Sequence, residues 1–187
     1  MTKDAGFTLL ELAVVVAIIS IISAIAVPNM IGWIPKYRLQ NAASDLRGEF
    51  QATRMRAIRE NREFAIFFSP ATGDYRVVDS GANRKIDTPI YAVDDGDIKI
   101  VRLNQYSSGV GYGNGNATTD ATQLGGAFPP GFVSYAGNAV VFLPNGLIQG
   151  MGYVYLSNSR GDAAALGTPS LGGVVVSRIW YGGAWTQ

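Results

Sequence analysis

Glu11 is an acid at the head of a stretch that has no use for one. It is followed by 24 residues, Leu12–Pro35, without a charge. An ionised carboxylate in apolar surroundings must lie at the interface, take up a proton or find a partner. The chemistry on offer is therefore ion pairing, or the milder favour that a helix start shows an acid through its dipole. A second acidic group, Asp94-Asp95-Gly96-Asp97, offers hard oxygen ligands of the kind calcium takes, with Asp87 or Asp120 as further donors if the fold brings them near. It lacks the EF-hand spacing and the closing Glu, so a polar turn is the competing reading. Residues 110–116, VGYGNGN, are glycine-rich but have neither GxxxxGK[ST] nor a strand–GxGxxG–helix setting, so nucleotide binding is not expected. The chain has no His and no Cys. That removes the commonest general base, thiolate metal sites, disulfides and Cys nucleophiles. No Ser stands in a nucleophile-elbow pattern. The residues predict a protein that is not an enzyme and carries no cofactor.

The elements that position these groups fall into two halves. Leu12–Val27 reads LAVVVAIISIISAIAV, and a hydrocarbon core of about 30 Å needs roughly 20 apolar residues as helix. A membrane-spanning helix is predicted. Ala24-Ile25-Ala26 has the form of a signal-peptide cleavage site, but MTKDAGFTLLE sets Lys3 against Asp4 and Glu11, where a secretory signal wants a positive start. Pro28 and Pro35 each lack an amide proton and crowd the preceding turn, so residues 29–34 are predicted to be the weak part of the helix, as a kink or as local melting. Beyond Pro35, apolar residues recur at helical spacing: Leu39, Ala43, Leu46, Phe50, Thr53 and Ala57, widened by Ala42 and Ile58. This amphipathic helix is expected to end near Arg59–Asn61. Its cations, Lys36, Arg38, Arg47, Arg54, Arg56, Arg59 and Arg62, outnumber Asp45, Glu49 and Glu60. Such a face can touch phosphates, or it is simply solvated. Lys36 and Arg38 are also placed to meet lipid headgroups. The net charge of +1 gives no general case for nucleic acid.

Twenty of the 23 glycines follow Arg62, and there the period changes from helix to strand. Strands are predicted at 63–69, 75–79, 98–103, 139–143, 147–149, 153–157 and 174–179, with hairpin signals at 70–74 and Pro144-Asn145-Gly146. Packed on the helix stripe they make an α+β fold. Residues 104–131, with seven glycines, read as a long loop, functional or disordered. The tail from Arg178 to Trp185 is aromatic. Such rings can stack on single-stranded nucleic acid or cover the sheet.

Gly6-Phe7-Thr8-Leu9-Leu10-Glu11, leading into the apolar run, resembles the signal of type IV pilins and type II secretion pseudopilins. Residues 52–68 (ATRMRAIRENREFAIFF), 139–149 (AVVFLPNGLIQ) and 172–179 (GGVVVSRI) resemble the GspH/FimT group of minor pilins. The resemblance implies that a prepilin peptidase cuts between Gly6 and Phe7 and that the new Phe7 terminus is N-methylated. It divides the chain into a leader (1–6), a transmembrane and assembly helix (7–35), an amphipathic helix (36–62) and a β-rich domain (63–187). It also implies a single-pass inner-membrane protein with its β-domain in the periplasm or on a filament. The partners implied are other pilin or pseudopilin subunits, an inner-membrane assembly platform and membrane lipid, with DNA as the alternative partner of some relatives. Cleavage would create a charged amine at Phe7, about one turn from Glu11. In a staggered bundle, Glu11 of one subunit would reach the amine of the next and pin its register.

Overall fold

A computed structural model describes residues 7–122 and 124–186, with the backbone alone at 28 and 29. The first element, α1, spans Leu9–Glu60. The backbone stays helical through positions 28 to 35, so the two prolines do not end the helix. The chain divides at Ile34/Pro35 into two compact units.

In the first unit every residue from Leu9 to Val27 is exposed, and the mean hydropathy of this stretch is 2.7. A surface of that character has no place in water. Of its two hydroxyls, Ser20 and Ser23, that of Ser20 donates to the Val16 carbonyl at 2.7 Å, so Ser20 adds no unsatisfied polar group to the apolar span.

The second unit starts at Pro35 and holds the rest of α1 and ten strands. The helix ends for a local reason. Asn61 has a φ of 50°, the left-handed conformation that asparagine tolerates better than most residues. This lets Asn61 N–H reach the Ile58 carbonyl and Arg62 N–H the Ala57 carbonyl, at 3.4 and 3.3 Å, which satisfies two of the last open carbonyls. The strands are β1 (Phe64–Ser69), β2 (Asp74–Asp79), β3 (Gly96–Arg102), β4 (Gly111–Tyr112), β5 (Ala139–Phe142), β6 (Ile148–Gln149), β7 (Gly152–Ser157), β8 (Ala163–Thr168), β9 (Val176–Tyr181) and β10 (Ala184–Thr186). They form two antiparallel sheets, ordered β3-β2-β1-β5-β6 and β10-β9-β8-β7-β4. The predicted α+β arrangement is the observed one, a long N-terminal helix packed on an antiparallel β-rich domain.

Both sheets close on one face of α1. Leu39, Ala42, Ala43, Leu46, Phe50 and Ala57 meet Phe64, Ile66, Phe68 and Phe142 of the first sheet and Val154, Leu156 and Leu166 of the second. Phe50 is the centre: its ring lies 6.1 Å from Phe68 and 5.9 Å, edge-on, from Phe142. A smaller cluster of Ala121, Tyr153, Tyr155 and Ala165 sits on the other side of the second sheet, covered by Phe128, Phe132 and Trp185. Three strands were not expected from sequence. β8 reads AAALGT, with no β-branched residue before its last position, and β4 and β10 are two and three residues long. The stretch expected as a long loop is instead interrupted by 3₁₀ turns and by β4, and its Ala117 and Ala121 are buried.

Candidate assembly site

The residues around the start of α1 make a small hydrogen-bonded device. Thr8 precedes the first helical residue, and its Oγ1 accepts from Glu11 N–H at 3.2 Å. In return the Glu11 Oε2 accepts from Thr8 N–H at 3.3 Å and from Thr8 Oγ1 at 3.2 Å. This is a capping box, two side chains reciprocally satisfying the open amides of a helix start. The T-x-x-E spacing of Thr8 and Glu11 is the sequence signal for this arrangement, and Thr8 is a member of the site that the charge pattern does not reveal. All described bonds of the carboxylate fall on Oε2; among the described residues Oε1 has none. Phe7 is 83% exposed. Gly6 lies outside the described residues, as does the rest of the expected leader, 1–6. Pro28 and Pro35 both fall within α1.

The expected basic face is largely used inside the fold. Arg54 Nε donates to the Gly146 carbonyl at 2.8 Å and Nη1 to the Gly173 carbonyl at 3.5 Å, tying α1 to a turn beyond each sheet. Gly146 has a φ of +79°, which strains any side chain, and a Cβ there would lie 3.1 Å from the tip of Ile58, so the Asn145-Gly146 turn under this arginine favours glycine. Arg62 pairs with Asp79 at 2.6 Å and Glu60 at 3.1 Å. Arg38 donates to Ser108 Oγ at 2.9 Å, and Lys36 lies 5.5 Å from the centre of the Tyr181 ring. Arg47 and Arg59 stay exposed.

The acidic loop comes together in part. Asp87, Asp94 and Asp95 bring one carboxylate oxygen each within 4.8 Å of one another. Asp97 turns instead to Arg76 at 3.3 Å and to the Tyr91 hydroxyl. Asp120 belongs to a different turn, accepting from Thr122 and from Gly126 N–H at 2.8 Å. Backbone amides face the three grouped carboxylates. Ala82 and Asn83 donate to Asp94, Val93 and Asp94 to Asp87, and Asp87 and Tyr91 to Asp95. The group works as a staple for residues 80–95. Burial, reinforced by the charges of Asp87 and Asp94, pushes Asp95 above the usual aspartate range. Burial acts upward on Asp87 as well, but the Val93 and Asp94 amides and the Asn83 side chain outweigh it and hold Asp87 low.

The aromatic tail covers the sheet. Trp185 Nε1 donates to the Thr119 carbonyl at 2.8 Å, and its ring lies 5.3 Å from Trp180 and 5.8 Å from Tyr155. Arg178 donates to the Ala121 carbonyl at 2.5 Å. These groups tether the glycine-rich segment to the second sheet and are not arranged as a free stacking platform.

Comparison with known proteins bears on both units. Residues 1–27 match the prokaryotic N-terminal methylation motif, and residues 42–172 match the type II transport protein GspH family. The type IV major pilin protein PilA of Myxococcus xanthus (strain DK1622) is 38% identical over 82 residues, which cover 40% of this chain and 37% of that protein. The match thus spans little more than a third of that relative's length. No solved structure matches the chain.

Proposed function

The chain belongs to the GspH family of pilin-like proteins, structural subunits that carry a prepilin-type N-terminal signal and assemble through the N-terminal helix, and on that premise we propose that it is a minor subunit of a type II secretion pseudopilus or type IV pilus. The GspH match over the β-rich domain supports a minor role. One observation carries the reading. From Leu9 to Val27 α1 is apolar and exposed, with mean hydropathy 2.7, and its single acid there, Glu11, stands near the start of the helix. In the inner membrane, lipid covers that surface; in a filament, other helices do.

We infer that Glu11 divides its work. Oε2 fixes the helix start through Thr8, and Oε1 is left for the amine that cleavage creates at the Phe7 of an adjoining subunit. Thr8 and Glu11 both lie on the mature side of the cut, so the capping box can outlast processing. Two charges in a low-dielectric bundle stabilise each other only in good geometry, and losing one partner is strongly destabilising. The pair therefore acts as a register pin. Pro28 and Pro35 remove two amide donors from α1, which is where the helix would yield during assembly. The inner-membrane assembly platform and lipid enter this reading as the machinery and solvent of the first stage. DNA capture, the alternative, has fewer cations to draw on, because Arg38, Arg54 and Arg62 use their donors inside the fold.

The test has two parts. Mass spectrometry of the mature protein is expected to find N-methylated Phe7 as the first residue. Glu11→Ala is expected to insert into the membrane at the wild-type level yet fail to enter filaments. Normal incorporation of that variant removes the pin from the proposal.

A further inference from the structure

Lys36 is the first charge after Glu11. The uncharged run that it ends, Leu12–Pro35, has 24 residues, about 36 Å as helix at 1.5 Å per residue. That exceeds a hydrocarbon core of about 30 Å, so the chain meets the headgroup layer at Lys36. Lys36 belongs to the second unit, and what it touches there is one end of the second sheet. Its ammonium lies 5.5 Å from the centre of the Tyr181 ring, and Arg38 donates to Ser108 Oγ at 2.9 Å. Strand register places three turns at that end. β7 and β8 join through residues 158–162, beyond the Ser157–Ala163 pair. β9 and β10 join through Gly182-Gly183, beyond the Tyr181–Ala184 pair, and Ile179 of β9 faces Ala164 at the start of β8. Residues 107–110 lead into β4 at the Gly111–Ser157 pair, and Ser159 N–H donates to the Ser108 carbonyl at 3.0 Å.

This end is amphipathic and cationic. Tyr181 is 70% exposed, and Arg160 is exposed. Neither Lys36 nor Arg160 forms an ion pair among the described residues. Pro35–Arg38 and the three turns hold Lys36, Arg38 and Arg160 against one carboxylate, Asp162, which accepts from Asn158 Nδ2 at 2.8 Å. The grouped acids of the loop 80–95 belong to the other end of α1, where Arg84 of that loop donates to the Glu60 and Asn61 carbonyls at 3.2 and 3.1 Å. An anionic surface attracts the first end and repels those acids.

We propose that this end of the second sheet is a second membrane contact, an inference that rests on the inner-membrane stage of the reading above. Tyr181 seats its ring at the headgroup level, and Lys36 and Arg160 meet the phosphates of anionic lipid. Continuity with the span selects the partner, because these groups stand beside the residue at which the chain leaves the bilayer. A tyrosine joins an apolar ring to a polar tip and suits a membrane–water boundary. The contact holds the β-rich domain on the membrane, its acidic loop turned away, until the subunit is lifted into a filament.

The chain has no cysteine, so Ala184→Cys, exposed beside the hairpin turn, and Ala92→Cys, exposed in the acidic loop, each place a sole thiol for an environment-sensitive dye. Full-length protein carrying either dye is reconstituted, one copy per disc, in nanodiscs of phosphatidylcholine alone or of equal parts phosphatidylcholine and phosphatidylglycerol. Acrylamide quenching at position 184 is expected to fall roughly threefold in the anionic discs, with quenching at position 92 unchanged. Tyr181→Ser with Arg160→Gln, two exposed positions, is expected to restore the value seen in phosphatidylcholine. Equal quenching in the two lipids, the same fall at position 92, or protection that survives the double substitution overturns the contact. A fall at position 184 that a single-stranded oligonucleotide produces and phosphatidylglycerol does not assigns this end to nucleic acid and overturns it too. A chain that fails to enter the discs at all speaks against the anchor itself, and the second contact then falls with the first.

Discussion

At the residue scale, two small devices carry more than the burial of their side chains suggests. Thr8 and Glu11 are exposed, yet together they close the first turn of α1. Loss of a threonine N-cap costs about 1 kcal/mol. Thr8→Ala is therefore expected to fray the helix start, seen as faster amide exchange at Glu11 and Leu12 in micelles, with membrane insertion unchanged. Unaltered exchange would mean the box contributes nothing. Arg54 is the second case. Its guanidinium reaches the Gly146 and Gly173 carbonyls, one beyond each sheet. Hydrogen bonds involving a charged group contribute about 1.5–3 kcal/mol, so Arg54→Ala is expected to lower the stability of the β-rich unit by about 2 kcal/mol in urea denaturation. Lys in its place restores little, since one ammonium cannot reproduce the planar fork.

At the scale of elements, the loop 80–95 and the strands tell different stories about legibility. The core stripe of α1 was readable because its period of 3.6 is unmistakable: Leu39, Leu46 and Phe50 are all buried as the spacing demanded. The seven strands rich in Val, Ile, Phe and Tyr were readable for the same kind of reason. β8 was not, since Ala163-Ala164-Ala165 has no strand preference and is strand only because β7 and β9 flank it. The acidic group was visible as a motif, but not which acids it would join. Asp87 comes in from earlier in the loop, and Asp97 leaves for Arg76, placements set by backbone path and not by spacing. Their opposite shifts have a consequence for pH. Asp95 is raised in the folded state, so its contribution improves as pH falls through its folded value toward the unfolded one, about 3.9. Asp87 is lowered, so its contribution is complete above the unfolded value and is lost as pH falls further toward its folded one. The loop's contribution to stability is expected to peak near pH 4. Urea denaturation between pH 7 and 3 should show Asp95→Asn losing the rise on acidification while keeping the later fall. If the variant traces the wild-type curve, the account of Asp95 as raised by burial and by the charges beside it is wrong.

At the scale of the whole molecule, the two units face different solvents, and the sequence change that separates them is abrupt. Up to Ile34 every described side chain is exposed, from Phe7 at 83% to Ile34 at 40%. From Leu39 onward the same helix has a buried face, and that face belongs to a core that draws on both sheets. Among the described residues, the apolar burial that stabilises the fold therefore lies after Pro35. The first unit contributes only surface that water rejects, at about 25 cal/mol per Å² left exposed. A chain beginning at Pro35 is accordingly expected to be soluble without detergent, to unfold cooperatively, and to keep the near-ultraviolet dichroism of its buried tyrosines, Tyr75 and Tyr155 among them. The full-length chain is expected to need micelles or lipid under the same conditions. If the shortened chain aggregates or loses its near-ultraviolet signal, the first unit must stabilise the β-rich part directly, and the division of labour between anchor and domain fails.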